Sequence, residues 1–183
     1  LQAVSVVLKL FSNKVATLQD LSEDIDMDTA SVTEAEGLMK RSLDINFVVS
    51  LHVLNKIFSL TAPVATLLQA ASVDLVTAAE EIRVCKKKLF EFRADSDGTW
   101  KELWSISSSF ASTHNIEVDP VRRKRKVPRH FDELCSDEQT DDLQQYLKTG
   151  VYLRALDEMS MQMDDRFPES NLVMLRQMSL FSE

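Results

Sequence analysis

The sequence predicts an all-α protein: a multi-helix bundle of antiparallel amphipathic helices with one basic inter-helix loop. Three observations predict it. Apolar residues recur at steps of three and four along most of the chain, the spacing of one helix face. Glycine occurs three times (Gly37, Gly98, Gly150) and proline four (Pro63, Pro120, Pro128, Pro168), too few for a turn-rich β protein. The 183 residues are 44% hydrophobic and 27% charged, an ordinary globular balance. A chain of that length buries a core without help from metal or disulfides.

The elements follow in order. Val4, Val7, Leu8, Phe11, Val15, Leu18 and Leu21 form the stripe of a first helix, which stops in the acidic stretch SEDIDMD. A second helix should start near Asp28 or Ser31, where SVTE has the form of a capping box, and run from Val32 to Leu43. INFVVSLHVLNKIFSL is apolar on most faces, so this helix belongs in the middle of a domain, with Phe47, Leu51, Leu54 and Phe58 in register. Pro63 cannot donate to the turn before it and predicts a kink or a fresh helix start. Leu75, Ala79, Ile82, Cys85, Leu89 and Phe92 form the next stripe. Glu80, Glu81, Arg83, Lys86, Lys87 and Lys88 largely fall off it. DSDG at 95–98 predicts a turn, and a turn that short predicts antiparallel neighbours. Trp100, Leu103, Trp104 and Phe110 mark a shorter aromatic helix.

Residues 115–136 break the periodicity with two prolines and a basic run, and read as a loop or linker. A long helix then resumes, with Ser136 as candidate N-cap and acidic residues where the helix dipole favours them. Tyr146, Leu147, Leu153, Leu156, Met163 and Phe167 share one side of it. Gly150 inside it costs about 1 kcal/mol against alanine, which suggests a close helix contact there. Pro168 ends it, and a short amphipathic piece follows. No repeat of solenoid period is present. The division is therefore a helical bundle over 1–114, a basic loop or linker over 115–136, and C-terminal helices over 137–183 packing on the same bundle, all one domain. The chain begins without methionine, in mid-pattern, and reads as part of a longer protein. Its start carries no basic leader or cleavage site, and no apolar run approaches the ~20 residues that span a bilayer.

The net charge of -8 argues against a general basic grip on nucleic acid, so any DNA contact must come from a local patch. That patch is Arg122, Arg123, Lys124, Arg125, Lys126 and Arg129, inside VDPVRRKRKVPRHF. A run of this kind serves as a nuclear import signal, a phosphate contact or a solvated loop, and its position does not choose between them. The cysteines, Cys85 and Cys135, have no CxxC spacing, so a reducing compartment is expected, with Cys85 a buried structural thiol. No glycine-rich phosphate loop, nucleophile elbow or zinc-protease motif occurs. His130 with Cys135 is a weak zinc pairing, and neighbours such as Asp141/Asp142 or Asp164/Asp165 diverge by about 100° around a helix. Trp100 and Trp104 read as packing before they read as a stacking platform for bases. Met159, Met161, Met163, Met174 and Met178 read as core filler before an adaptable groove. Arg83, Lys86, Lys87, Lys88 and Arg93 read as a solvated face whose stems cover apolar surface.

The stretch FVVSLHVLNKIFSLTAPVATLLQAASVDLVTAAEEIRVCKKKLFEFR resembles the helical part of hAT-type transposases and their domesticated relatives, the zinc-finger MYM-type and THAP-type transposase-derived proteins. The family's pattern is an aromatic-rich helix, a leucine-glutamine pair, an aspartate, an alanine, then a leucine and an arginine. Here these are Leu68, Gln69, Asp74, Ala78, Leu89 and Arg93. LQAVSVVLKLF is similar to the segment that follows the first half of the family's ribonuclease H-like core. The basic linker and the acidic helix ending in DDRF (Asp164 to Phe167) resemble the family also.

The resemblance covers most of the chain and implies the all-helical insertion between the halves of that core. It implies that the catalytic acidic residues lie before Leu1 and after Glu183, so none is carried over. It implies a nuclear protein. One departure stands out: Leu54 occupies the place where family members often have tryptophan, which points to a domesticated protein that no longer transposes. The expected role is a non-catalytic insertion domain supporting DNA association, with a protein-protein interaction scaffold without DNA binding as the alternative. No catalytic residue, metal, cofactor, membrane or small-molecule substrate is expected. DNA through the local patch, protein partners and a homo-oligomer are the expected partners.

Overall fold

The computed structural model describes residues 2–24, 27–70, 74–118 and 142–179. Those residues form helices and no strand: α1 (Gln2–Lys9), α2 (Phe11–Glu23), α3 (Thr29–Ser42), α4 (Ile45–Leu68), α5 (Leu75–Ala94), α6 (Ser96–Thr113), α7 (Leu143–Leu147), a π-helical turn over Lys148–Leu153, α8 (Arg154–Arg166) and α9 (Glu169–Ser179). The all-α fold is as the sequence predicts.

The predicted first helix breaks at Leu10 into α1 and α2, although backbone bonds from Leu10 to Val6 and from Lys14 to Leu10 carry across the break. Past the break Phe11 enters the core, edge-on to Phe110 at 5.1 Å and to His114 at 4.9 Å. No glycine or proline marks this kink. The short connection to α3 closes a helical hairpin whose two helices pack along each other. α3 starts at the earlier of the two expected points: Asp28 precedes it, and Ser31 lies inside its first turn, so the predicted capping box does not cap.

Asp44 accepts a bond from the Asn46 N–H at 2.8 Å and starts α4, the central helix. Val48, Val49, Val53, Ile57 and Val64 of α4 are core residues. Pro63 neither starts a helix nor ends one. It is exposed, and so is Ser59, whose carbonyl loses its usual donor to the proline. At 24 residues α4 is long and apolar enough to cross a bilayer by length and composition, which the sequence reading missed. Its core residues are buried here by protein.

Asp74 caps α5, accepting from the Val76 and Thr77 N–H groups and from the Thr77 hydroxyl. Asp95 caps α6 through the Gly98 N–H at 3.3 Å. A Cβ on Gly98 would sit 2.6 Å from that carboxylate, so glycine permits the close approach. α5 and α6 each pack more extensively on α4 than on one another, unlike the neighbours the short turn predicted. Against α4, α6 runs antiparallel: Lys56 meets Glu102 and His52 meets Phe110. α6 closes with a left-handed Asn115 (φ 55) and a 2.8 Å bond from the Ile116 N–H to the Ala111 carbonyl, a Schellman cap. Ile116 is buried in the core, so the bundle extends past residue 114, inside the segment read as linker.

Asp142 caps α7 through the Gln144 N–H. Ser136 lies outside the described residues. The π turn that follows explains a misreading. Leu147, Leu156 and Met163 are buried as predicted, but Tyr146 is exposed and Tyr152 is buried in its place. At about 100° per residue, Tyr152 would lie some 140° from Leu147 in an unbroken α-helix, but the extra residue of the π turn cuts this to about 40°. Gly150 is not at a close helix contact: a Cβ there would meet nothing within 4 Å.

Candidate interaction surface

Arg122, Arg123, Lys124, Arg125, Lys126 and Arg129 lie outside the described residues, as do His130, Cys135 and Asp141. Several of the other sequence candidates resolve into packing. Trp100 is 3% exposed, stacked on Tyr152 at 5.8 Å and tilted against Trp104 at 6.0 Å, so protein already covers it. Cys85 is buried, and burial pushes its thiol up. Met163 fills the core while Met161 and Met174 stand exposed. Among the described residues, no group of three or more His, Cys, Asp or Glu is placed to hold a metal ion. His52 and His114 converge on Phe110, at 5.4 Å and 4.4 Å between ring centres. The Nε2 of His52 is buried without a hydrogen-bond partner, and burial lowers its pKa. Sequence reading missed this meeting because the two histidines are far apart along the chain.

The basic residues of α5 are not simply solvated. Arg83 pairs with Glu169, Lys86 with Asp164 at 2.8 Å, and Arg93 with Asp157 at 2.7 Å. Lys86 also donates to the Phe167 carbonyl at 2.6 Å. Partner numbers fall as α5 numbers rise, so α8 and the start of α9 run antiparallel to α5. These pairs are partly exposed and each contributes at most about 1 kcal/mol. Their work is to set register, while Leu89, Leu156, Met163 and Leu172 supply the apolar burial. A further pair, Lys148 with Asp97, ties the π turn to α6 and holds the Asp97 carboxyl below its ordinary value.

Two clefts lie along the α5–α8 seam. One, of about 480 Å³, is lined by Lys86, Leu89, Phe90, Arg93, Ser160 and Asp164, among others. The other, of about 440 Å³, is lined by residues that include Thr149, Leu153, Arg154, Glu158 and Met161. Arg93 and Asp157 line both, so the ion pair between them divides one groove. Phe90 stands in it 73% exposed, and Met161 is 49% exposed at the second cleft. The sequence held a signal for Phe90 that went unread. It is an aromatic residue off the Leu75–Phe92 stripe, on the face of Lys86, Lys87 and Arg93.

The residues that carry the family resemblance lie on α4 and α5, and of them Leu89 and Arg93 reach the groove. Leu68 and Gln69 end α4, and Asp74 caps α5. Ala78 and Leu89 are buried on α5, and Arg93 crosses to α8. Leu54 is partly exposed on α4. Compared with protein-family models, curated proteins and solved structures, the chain matches none of them.

Proposed function

We propose that this chain is the non-catalytic helical insertion domain of an hAT-type, transposase-derived nuclear protein, and that it supports DNA association. The observation that carries the reading is the α4–α5 corner. There the leucine-glutamine pair ends one helix and the aspartate caps the next; along that helix the alanine and leucine are buried, and near its far end the arginine pairs with Asp157. Asp74, Ala78, Leu89 and Arg93 have structural tasks that need no reaction, as suits a helical insertion. DNA contact is assigned to the basic run. Five cations on phosphates give a salt slope of about -4.5, or roughly five-hundredfold weaker binding on going from 50 to 200 mM salt. The test is a DNA titration of the chain at those two salt levels, beside a variant with Arg122, Arg123, Lys124, Arg125 and Lys126 changed to alanine. A steep slope that flattens in the variant is expected. Equal slopes, or no binding by either protein, refute direct contact through the run.

The exposed Phe90 favours a second reading, a scaffold that holds protein partners along the α5–α8 groove. A solvent-facing aromatic beside a cleft large enough for an apolar side chain is the arrangement of an interface anchor.

A further inference from the structure

We infer that the α2–α3 hairpin is a hinged arm that opens from the bundle as one unit, with Phe11 as its latch. Few side chains hold the hairpin down. Over 13 and 14 residues, α2 and α3 each bury one, Phe11 and Ala35. α4 buries seven over 24 residues. Of the hairpin's two, Phe11 joins the bundle core and Ala35 does not. Val15, one turn past Phe11, packs half-buried on the core. Ser12 meets the Nδ1 of His114 at 3.4 Å, on the same ring that Phe11 touches edge-on. Elsewhere α2 packs mainly on α3. Side-chain bonds such as Thr17 to the Asn13 carbonyl and Gln19 to Glu23 stay inside the hairpin. A segment with few buried apolar contacts opens at a lower free energy than the core.

The chain is jointed where such an arm must turn. It enters at Leu10 (φ -105, ψ 16) and leaves through Leu43 (φ -85, ψ 27) and Asp44 (φ -105, ψ 131), all outside helical geometry. Rotation at these residues leaves α2, α3 and α4 whole. Leu10 is 44% exposed, so turning there draws no side chain of its own out of the core. Opening uncovers the sides of Phe110 and His114 that Phe11 covers. It also carries Asp20, Glu23, Asp24, Asp28, Glu34 and Glu36, all exposed, away from the bundle. A block of negative charge therefore changes place while α4, α5 and α6 stay packed.

The test is native-state hydrogen exchange of the whole chain at low urea, for wild type, Phe11→Ala and Ile82→Val. The central amides of α2 and α3 are expected to share one urea-sensitive opening, and to be protected at least about 100-fold less than those of α4 from Val48 to Ile57. Phe11→Ala removes the latch and speeds hairpin exchange roughly 10- to 100-fold. Ile82 is buried on α5, in the part that stays packed. Ile82→Val speeds α4 exchange roughly 2- to 10-fold through global unfolding and leaves the hairpin unchanged. Hairpin amides as well protected as those of α4 overturn the proposal. So do hairpin amides that exchange at unrelated, urea-independent rates, as in fraying, or that Ile82→Val speeds as much as it speeds α4. A hairpin unaffected by Phe11→Ala refutes the latch. Circular dichroism checks that Phe11→Ala folds; if it does not, wild type and Ile82→Val decide.

Discussion

Deleting Gly150 should leave the fold intact, whereas deleting Glu158 one helical stretch later should not. A π turn is an α-helix with one residue too many. Removing a residue inside Lys148–Leu153 converts it to regular helix and keeps Leu147, the present Tyr152 and Leu156 on one side. The deletion also removes a glycine, worth about 1 kcal/mol in a helix. The expected change is within about 1 kcal/mol of wild type, in either direction. Deleting Glu158 instead turns everything after it by about 100°. Met163 leaves the core, Phe167 and Leu172 shift, and Asp164 loses Lys86. Burial of one large apolar side chain is worth about 1.5–3 kcal/mol, so the loss should exceed about 3 kcal/mol. The assay is urea unfolding followed by circular dichroism, comparing midpoints at equal slope. If the Gly150 deletion costs as much as the Glu158 deletion, the phase argument for the buried Tyr152 is wrong.

Two further outcomes follow from the same geometry. Gly150→Ala should stabilise the chain by about 0.5–1 kcal/mol, because the added methyl meets nothing, while Gly98→Ala should not, because its methyl displaces the Asp95 cap. Urea midpoints of the two variants check the contrast, and equal gains would refute it. Burial lowers the His52 pKa, so the unfolded chain binds that proton more readily than the folded one. The site's stability is complete above about pH 6.5, the ordinary value, and is lost as pH falls below it. In His52→Leu the loss of stability between pH 7 and 5 should be smaller than in wild type. An unchanged pH dependence would show that the buried Nε2 carries no such cost.

Periodicity was more legible than capping. The stripe of Ala79, Ile82, Cys85 and Leu89 is the buried face of α5, whereas the caps Asp74 and Asp95 were not singled out and the SVTE box that was does not cap. Phase was less legible. Nothing around Leu10 announces a kink, and nothing around Gly150 announces an extra residue, so the faces on either side were joined wrongly. Pairings between distant segments were not legible at all. Arg83, Lys86 and Arg93 looked like a solvated row because their partners come from α8 and α9, which only the fold brings alongside. Phe90 escaped for the opposite reason: on a polar face, an aromatic residue draws no attention until its exposure is seen.

Net charge bounds less than composition suggested, because the charges are sorted in space. Residues 15–39 contain seven acidic residues and no basic one, against a net charge of -8 for the whole chain. Six of the seven, Asp20, Glu23, Asp24, Asp28, Glu34 and Glu36, are exposed on the α2–α3 hairpin. The rest of the chain is close to neutral, and much of its positive charge on α5 meets acids on α8 and α9. At physiological salt a charge acts over about 8 Å. The hairpin therefore repels nucleic acid from its own face and leaves a phosphate contact elsewhere almost unaffected. An acidic total is compatible with DNA association through Arg122–Lys126, provided the duplex approaches on a side away from the hairpin. By the same measure, the α5–α8 groove, with its charges balanced across two walls, is better suited to protein than to phosphate.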